Sequence, residues 1–254
     1  MTWTDPTRGE FLKVRSYRDP KQGCLDDCIF ISGLSAYAWC DATFPKNIAP
    51  DATGYYSFNF FPSKVTKTVK VSKKLCYENN FLPFASSSEA DELWPAYYEK
   101  AFAAFLRVNR TSVSIDEFKI RDVSFGRNGK QTMEDLTKFT YNDPEVSTIA
   151  DPFTYINERC TEGKTKKPMI AWTLSSNVAE GLKEDHAYTV LGVTDARYIV
   201  LRDPRRGAAE PTKNVLTGKT ITLGGINLND TGDGIFALDK DKFKTSFYKL
   251  AFSP

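Results

Sequence analysis

The spacing of hydrophobic positions changes along the chain, and the changes mark its elements. After Cys28, the residues Ile29, Phe30, Ile31, Leu34, Tyr37 and Ala38 make a broad apolar face with small residues between them, which predicts a buried helix. Alternation follows: 54–61 and 65–71 read as a strand pair, with Lys67, Lys70, Lys73 and Lys74 as a solvated edge. A second helix is expected after the capping cluster Ser86-Ser87-Ser88-Glu89, carrying Leu93, Ala96, Tyr97, Lys100, Ala101 and Ala104 at helical spacing. Polar residues dominate from Asn109 to Lys130, and the weakly hydrophobic stretch from Gln131 to Pro144 places a boundary near Thr140.

Beyond that boundary the pattern predicts a short helix from Pro152 to Cys160, strands at 169–174 and 235–238, and a closing helix in which Phe243 and Phe247 share a face. Between them, 186–193 and 196–203 read as a hairpin around Thr194-Asp195 as a two-residue turn. Pairing Val193 with Ala196 sets Val190 opposite Ile199, Tyr188 opposite Leu201 and His186 opposite Asp203. One apolar face then ends in an imidazole and a carboxylate, and a one-residue slip would separate them. The whole is an α+β chain: a mainly helical first lobe, residues 1–140, and an antiparallel β second lobe, residues 141–254, around a cleft.

Composition narrows the function classes. With 34 Lys plus Arg against 32 Asp plus Glu, the net charge of +2 gives no reason to expect nucleic acid or an anionic membrane as partner. No apolar run reaches the roughly 20 residues a membrane helix needs, and Met1 to Pro6 lacks a signal-peptide core, so a soluble cytoplasmic protein is expected. Five cysteines, Cys24, Cys28, Cys40, Cys76 and Cys160, form an odd set without a framework and read as reduced thiols. A zinc site on Cys24 and Cys28 would need two further ligands, and the single histidine, His186, lies far downstream.

That histidine is the natural agent of acid–base chemistry near neutral pH. Gln22-Gly23-Cys24-Leu25-Asp26-Asp27-Cys28 puts a thiol at a helix start with a side-chain amide before it. Together with His186 and Asp203 this reads as a cysteine-nucleophile acyl-transfer site, with a lowered thiol pKa expected at the helix terminus.

In order, these segments resemble the protease core of the calpain family, a branch of the papain-like cysteine proteases. The family's Gln-Gly-x-Leu-Gly-Asp-Cys-Trp is similar to Gln22 through Ile29, its Glu-Lys-Ala-Tyr/Phe helix to Glu99 through Phe102, its Gly-His-Ala-Tyr-Ser-Val to Asp185 through Val190, its Arg-Asn-Pro-Trp-Gly to Arg202 through Gly207, and its Asp-Gly-x-Phe-Trp-Met to Asp233 through Leu238. The likeness runs from Arg15 to Phe252. It implies a papain-like two-lobe fold and a cysteine endopeptidase acting on peptides or proteins, with Cys28 as nucleophile, His186 as general base and acid, Asp203 as the orienting group and Gln22 as an oxyanion-hole donor. The chain departs from the family at Asp203 for Asn, Ile29 for Trp, Asp26 and Asp185 for Gly, and Arg205 for Trp.

The resemblance also implies calcium as an activator, with Asp19 matching a carboxylate that helps hold one ion; the residues give no full ligand set and leave calcium dependence open. The run from Asn227 to Gly234 lacks the alternating ligands and closing Glu of an EF-hand. Two other readings share the same thiol: an acyltransferase or amide-forming, transglutaminase-like enzyme, and an inactive scaffold that binds peptides. Substrate preference and oligomeric state are not legible.

Overall fold

The computed structural model describes residues 2–78, 82–107, 125, 128–205, 219–229 and 233–254, and the predicted polar stretch after Asn109 lies largely outside them. In chain order the elements are β1 (Thr2–Thr4), α1 (Cys28–Cys40), β2 (Tyr55–Phe60), β3 (Lys67–Ser72), β4 (Leu75–Tyr77), α2 (Trp94–Arg107), α3 (Gly129–Thr137), α4 (Pro152–Asn157), β5 (Cys160–Thr161), β6 (Lys164–Thr165), β7 (Met169–Thr173), β8 (Ala187–Thr194), β9 (Tyr198–Arg202), β10 (Thr220–Leu223), β11 (Ile226–Asn229), β12 (Ile235–Asp239), α5 (Lys240–Ser246) and β13 (Phe247–Phe252). Among the described residues no helix is long and apolar enough to cross a membrane.

The α1 helix is apolar on nearly every side because it is packed on nearly every side. Phe30, Ile31 and Leu34 enter a core with the β2–β3 pair and α2, which includes Phe58, Phe60, Val71, Trp94 and Phe102. Trp39 packs instead with Leu191, Val200 and Ile235, and Ala36 with Met133, Tyr141 and Ile170. Phe30 and Phe102 stack at 4.1 Å with planes 2° apart, joining α1 to α2.

The α2 helix starts at Trp94, later than the serine cluster suggests, with Pro95 in its first turn, where a missing N–H costs nothing. Ser87 and Ser88 do not cap it; their hydroxyls donate to the carboxylates of Glu92 and Asp19. The stretch read from sequence as a weakly hydrophobic boundary holds α3, started by Asn128, whose side chain accepts from Gln131 N at 2.8 Å. The closing helix and strand come as α5 and β13, with Phe243 and Phe247 stacked at 4.3 Å.

The large sheet is antiparallel, in the order β12-β9-β8-β6-β5, with β7 paired to β8 and β13 paired to β7. Both its faces are covered. Val190, Ile199, Leu201, Phe236 and Leu238 pack in one core with Phe243 and Phe247, while their neighbours Leu191, Val200, Ile235 and Ala237 pack in another with Trp39. Alternation thus separates two apolar faces rather than an apolar from a wet one.

The register of the β8–β9 hairpin differs from the sequence expectation. Thr194 pairs with Tyr198 and Val193 with Ile199, so the turn is longer than two residues and takes Asp195 and Ala196 through positive φ. A slip of three residues would turn His186 and Asp203 to opposite faces. A bulge between Val190 and Gly192 removes one residue of the slip, so that Val190 pairs with Leu201 and Thr189 with Arg202. The remaining displacement is even, which preserves the face, and His186 meets Asp203 on the diagonal instead of directly across. Gly192 is required at this bulge: its φ is +156° and a Cβ there would lie 1.8 Å from Gly163 O.

Candidate active site

Three polar contacts lock α1 alongside β8. Ser32 Oγ donates to Ala187 O at 3.0 Å, Thr189 Oγ1 donates to Ser32 O at 2.8 Å, and Trp39 Nε1 donates to Leu191 O at 2.8 Å. Helix and strand therefore run in the same direction, and the Cys28 end of one lies at the His186 end of the other. The Cys28 thiol interacts with the Ala187 backbone N–H.

His186 immediately precedes β8, and Asp203 immediately follows β9. The ring Nε2 lies 2.9 Å from Asp203 Oδ1, with His186 1% and Asp203 4% exposed. This contact holds the tautomer and directs Nδ1 away from the carboxylate. The His186 backbone is held as well: its N–H takes Thr173 Oγ1 at 3.0 Å and its carbonyl accepts from Thr173 N at 2.9 Å. Tyr188 stands edge-on to the ring at 5.0 Å.

Burial lowers the pKa of His186, partly opposed by Asp203, while Arg205 and Lys183 add to the lowering. Burial alone would raise the Asp203 carboxyl, but the bonds from His186 and Arg205 outweigh it and hold the group at about 2. The expected lowering of the Cys28 pKa does not hold for the isolated thiol. Burial, with Asp27 and Asp26 beside it, pushes it up to about 11 against the Ala187 N–H. At 8% exposure the desolvation of a thiolate exceeds what one helix terminus returns. Proton transfer from Cys28 to His186 would create the two charges together, and each would stabilise the other.

Gln22 is buried in the loop before α1. Its Nε2 donates to Leu25 O at 2.7 Å, the same amide lies against Asp27, and Oε1 has no donor among the described residues. Its backbone N–H donates to Pro204 O at 2.6 Å, tying this loop to the segment after β9. Gly23 is needed next to it, since a Cβ there would sit 2.3 Å from the carbonyl oxygens of Pro83 and Phe84.

Two features escaped the sequence pattern. Arg205 holds Asp203 through its backbone N–H (2.9 Å), Nε (2.9 and 3.2 Å) and Nη2 (2.7 Å). Its spacing of two from Asp203 was the available signal. The second is a buried acid pair next to Cys28: Asp27 and Glu99 are each 1% exposed and interact through their carboxyl groups. Glu99 accepts from Ala85 N, whereas neither oxygen of Asp27 has an N–H or O–H donor within hydrogen-bonding geometry among the described residues. A proton held between the two carboxyls supplies that donor. Burial is the main cause that raises both pKa values, with the Asp27 charge adding to the rise of Glu99 and Asp26 to that of Asp27, while the bond from Glu99 partly lowers Asp27.

The family model for calpain family cysteine proteases matches residues 5–210. The chain belongs to the calpain family of cysteine proteases. Among curated proteins it is similar to a thiol protease of Porphyromonas gingivalis (strain ATCC BAA-308 / W83), 25% identical over 91% of this chain and 53% of the relative. It is likewise similar to a calpain of Schistosoma mansoni, 25% identical over 97% of this chain and 34% of the relative, and to calpain clp-4 of Caenorhabditis elegans, 33% identical over 34% of this chain and 13% of the relative. The chain spans about half, or less, of the length of these relatives.

Calcium is implied by the calpain resemblance, with Asp19 as a ligand. Asp19 lies buried against Glu92. Its oxygens accept from Ser88 Oγ, Ser16 N and Trp94 Nε1, and those of Glu92 from Lys13 N, Val14 N and Ser87 Oγ. Every oxygen of this pair already has a donor, and among the described residues no group of three or more His, Cys, Asp or Glu could hold a metal. As arranged, these side chains do not fit a calcium cage of six to eight oxygens.

Proposed function

We propose that this calpain-family chain is a cysteine peptidase that hydrolyses peptide bonds in protein substrates through Cys28, His186 and Asp203. The observation that carries the reading is the 2.9 Å contact of His186 Nε2 with Asp203 Oδ1 at the end of β8, where the head of α1 brings the Cys28 thiol to Ala187 N–H.

In this mechanism His186 takes the proton of Cys28 at Nδ1, and the thiolate attacks the scissile carbonyl. The imidazolium, steadied by Asp203, then protonates the leaving amine. Water activated by the neutral ring hydrolyses the resulting thioester, and Cys28 leaves as the thiol. The Cys28 backbone N–H stabilises the oxyanion, and the Gln22 amide joins it once its Nε2 turns from Leu25 O and Asp27. The reading includes two lobes, residues 1–140 and 141–254, with substrate between them. The thiol and imidazole are both buried, so substrate entry requires the cleft to open.

The test is peptide-library cleavage by the purified chain, read by mass spectrometry. Cys28→Ala and His186→Ala should each lower turnover by roughly 10⁴-fold or more. Cleavage that persists in Cys28→Ala with the fold intact overturns the assignment. Turnover that needs an added amine reassigns the same thiol to acyl transfer.

A further inference from the structure

We propose that Arg205 is a positioning residue that acts on His186 through Asp203, fixing which carboxylate oxygen faces the ring and cancelling the charge a bare carboxylate would place there. The inference rests on the peptidase reading of the site.

Asp203 has more claims on it than orienting a ring requires. Oδ2 is held by Arg205 Nη2 at 2.7 Å and Nε at 2.9 Å, while Oδ1 takes His186 Nε2 and Arg205 N, both at 2.9 Å. A guanidinium presents its donors in a planar fork that matches a carboxylate, so these bonds fix the rotation of the group as well as its location. One oxygen then faces the imidazole in a set direction, as the single carbonyl of an amide would. The Asp203 side chain is 5% exposed and that of Arg205 32%, so the guanidinium lies over the carboxylate at the solvent boundary.

The position of Arg205 also fits the role. Its backbone forms a bridge with Gln22, next to the Gln22 N–H bond to Pro204 O, so the segment carrying the guanidinium is joined to the loop before Cys28. The sequence carries an acid at 203 and a base at 205 where the resembling family carries an amide and an indole. In the structure the two new side chains are bonded to each other.

The ionisable groups facing His186 are Asp203 and Arg205 after β9, Lys183 before β8 and Tyr188 on β8, with the Cys28 thiol acting on Tyr188 from the head of α1. Of these, Asp203 favours the imidazolium, whereas Arg205 and Lys183 oppose it. Loss of the guanidinium therefore leaves Asp203 uncompensated and raises the protonation midpoint of the ring.

Because His186 is the chain's single histidine, an NMR titration of the imidazole reads it alone and needs no turnover. Arg205→Gln should raise the midpoint by roughly half to one unit. It should also lower kcat about tenfold with little change in KM, because the ring loses a fixed partner while substrate contacts remain. Arg205→Lys should return the midpoint towards that of the parent but leave kcat lowered, since an ammonium restores charge without the fork. An unmoved midpoint in Arg205→Gln overturns the electrostatic half, and parental kcat in Arg205→Lys overturns the geometric half. If Arg205→Gln does not fold, Arg205→Lys still decides the second point. The titration is independent of peptide cleavage, so failure of the peptidase reading and failure of this inference give different results.

Discussion

The two sides of the site bury charge in opposite ways. Around α1 and α2, acids are buried against acids: Asp27 against Glu99 next to Cys28, and Asp19 against Glu92. Around β8 and β9, buried charges meet their opposites or carbonyls. Asp203 is held between His186 and Arg205, and the buried Arg202 guanidinium donates to Ser35 Oγ at 3.1 Å and to Arg18 O at 2.6 Å. Acid pairs hold together by keeping a proton, whereas ion pairs hold together by losing one. The Cys28 side is therefore sensitive to rising pH, and the His186 side to falling pH.

The packing differs in parallel. The Cys28 side is an aromatic cluster in which Phe102 touches Phe30, Phe60, Phe105 and Phe125, while the His186 side is a sheet with one mainly aliphatic face and one face on which aliphatic residues mix with Tyr188, Phe236 and Phe247. The largest effect should come from breaking the aromatic side. Phe102→Ala should cost about 3–5 kcal/mol in urea unfolding, and a loss below about 1 kcal/mol would show that the cluster repacks freely.

Next is acid. Asp203 is held at about 2 when folded, below the roughly 3.9 of an unfolded Asp. Its stabilisation is present above the unfolded value and lost as pH falls from about 4 to 2, amounting to about 2.5 kcal/mol. Asp203→Asn should flatten the stability curve in that window, and unaltered acid unfolding would show that the ion pair is not the cause.

Base should act on the other side. The folded pKa values of Asp27 and Glu99 are raised, so their contribution is complete below the unfolded values and is lost as pH rises through the folded ones. Glu99→Gln supplies a permanent N–H donor for Asp27 and should make stability less dependent on pH between about 4 and about 7, the unfolded and folded values of Asp27, by on the order of 1 kcal/mol. Equal slopes in parent and variant would mean the two acids do not share a proton. The smallest effect should lie where the two sides meet. Thr189→Val removes the bond to Ser32 O and should cost about 1 kcal/mol, read as a fall in melting temperature of a few degrees.

Much of the fold was legible. The broad apolar face from Ile29 to Ala38 gave α1, and short apolar and alternating runs gave β2, β3, β8, β9 and β12. The start of α2 was misplaced because Ser86 to Ser88 look like a cap, but Ser87 and Ser88 serve the carboxylates of Glu92 and Asp19. The last strand, β13, was missed because Phe247 reads equally well as the end of α5.

What the sequence determined by itself is the inventory and the faces: one imidazole at a strand start, a thiol at a helix start, an acid at the end of the facing strand. Periodicity carries that information because side-chain direction repeats along a single element. Only the tertiary structure decided the register, where the bulge before Gly192 turns a slip of three residues into one of two, and the partnerships of Arg205 with Asp203 and of Asp27 with Glu99. Those depend on rotations and distances fixed by packing against elements remote in the chain, which no local pattern encodes.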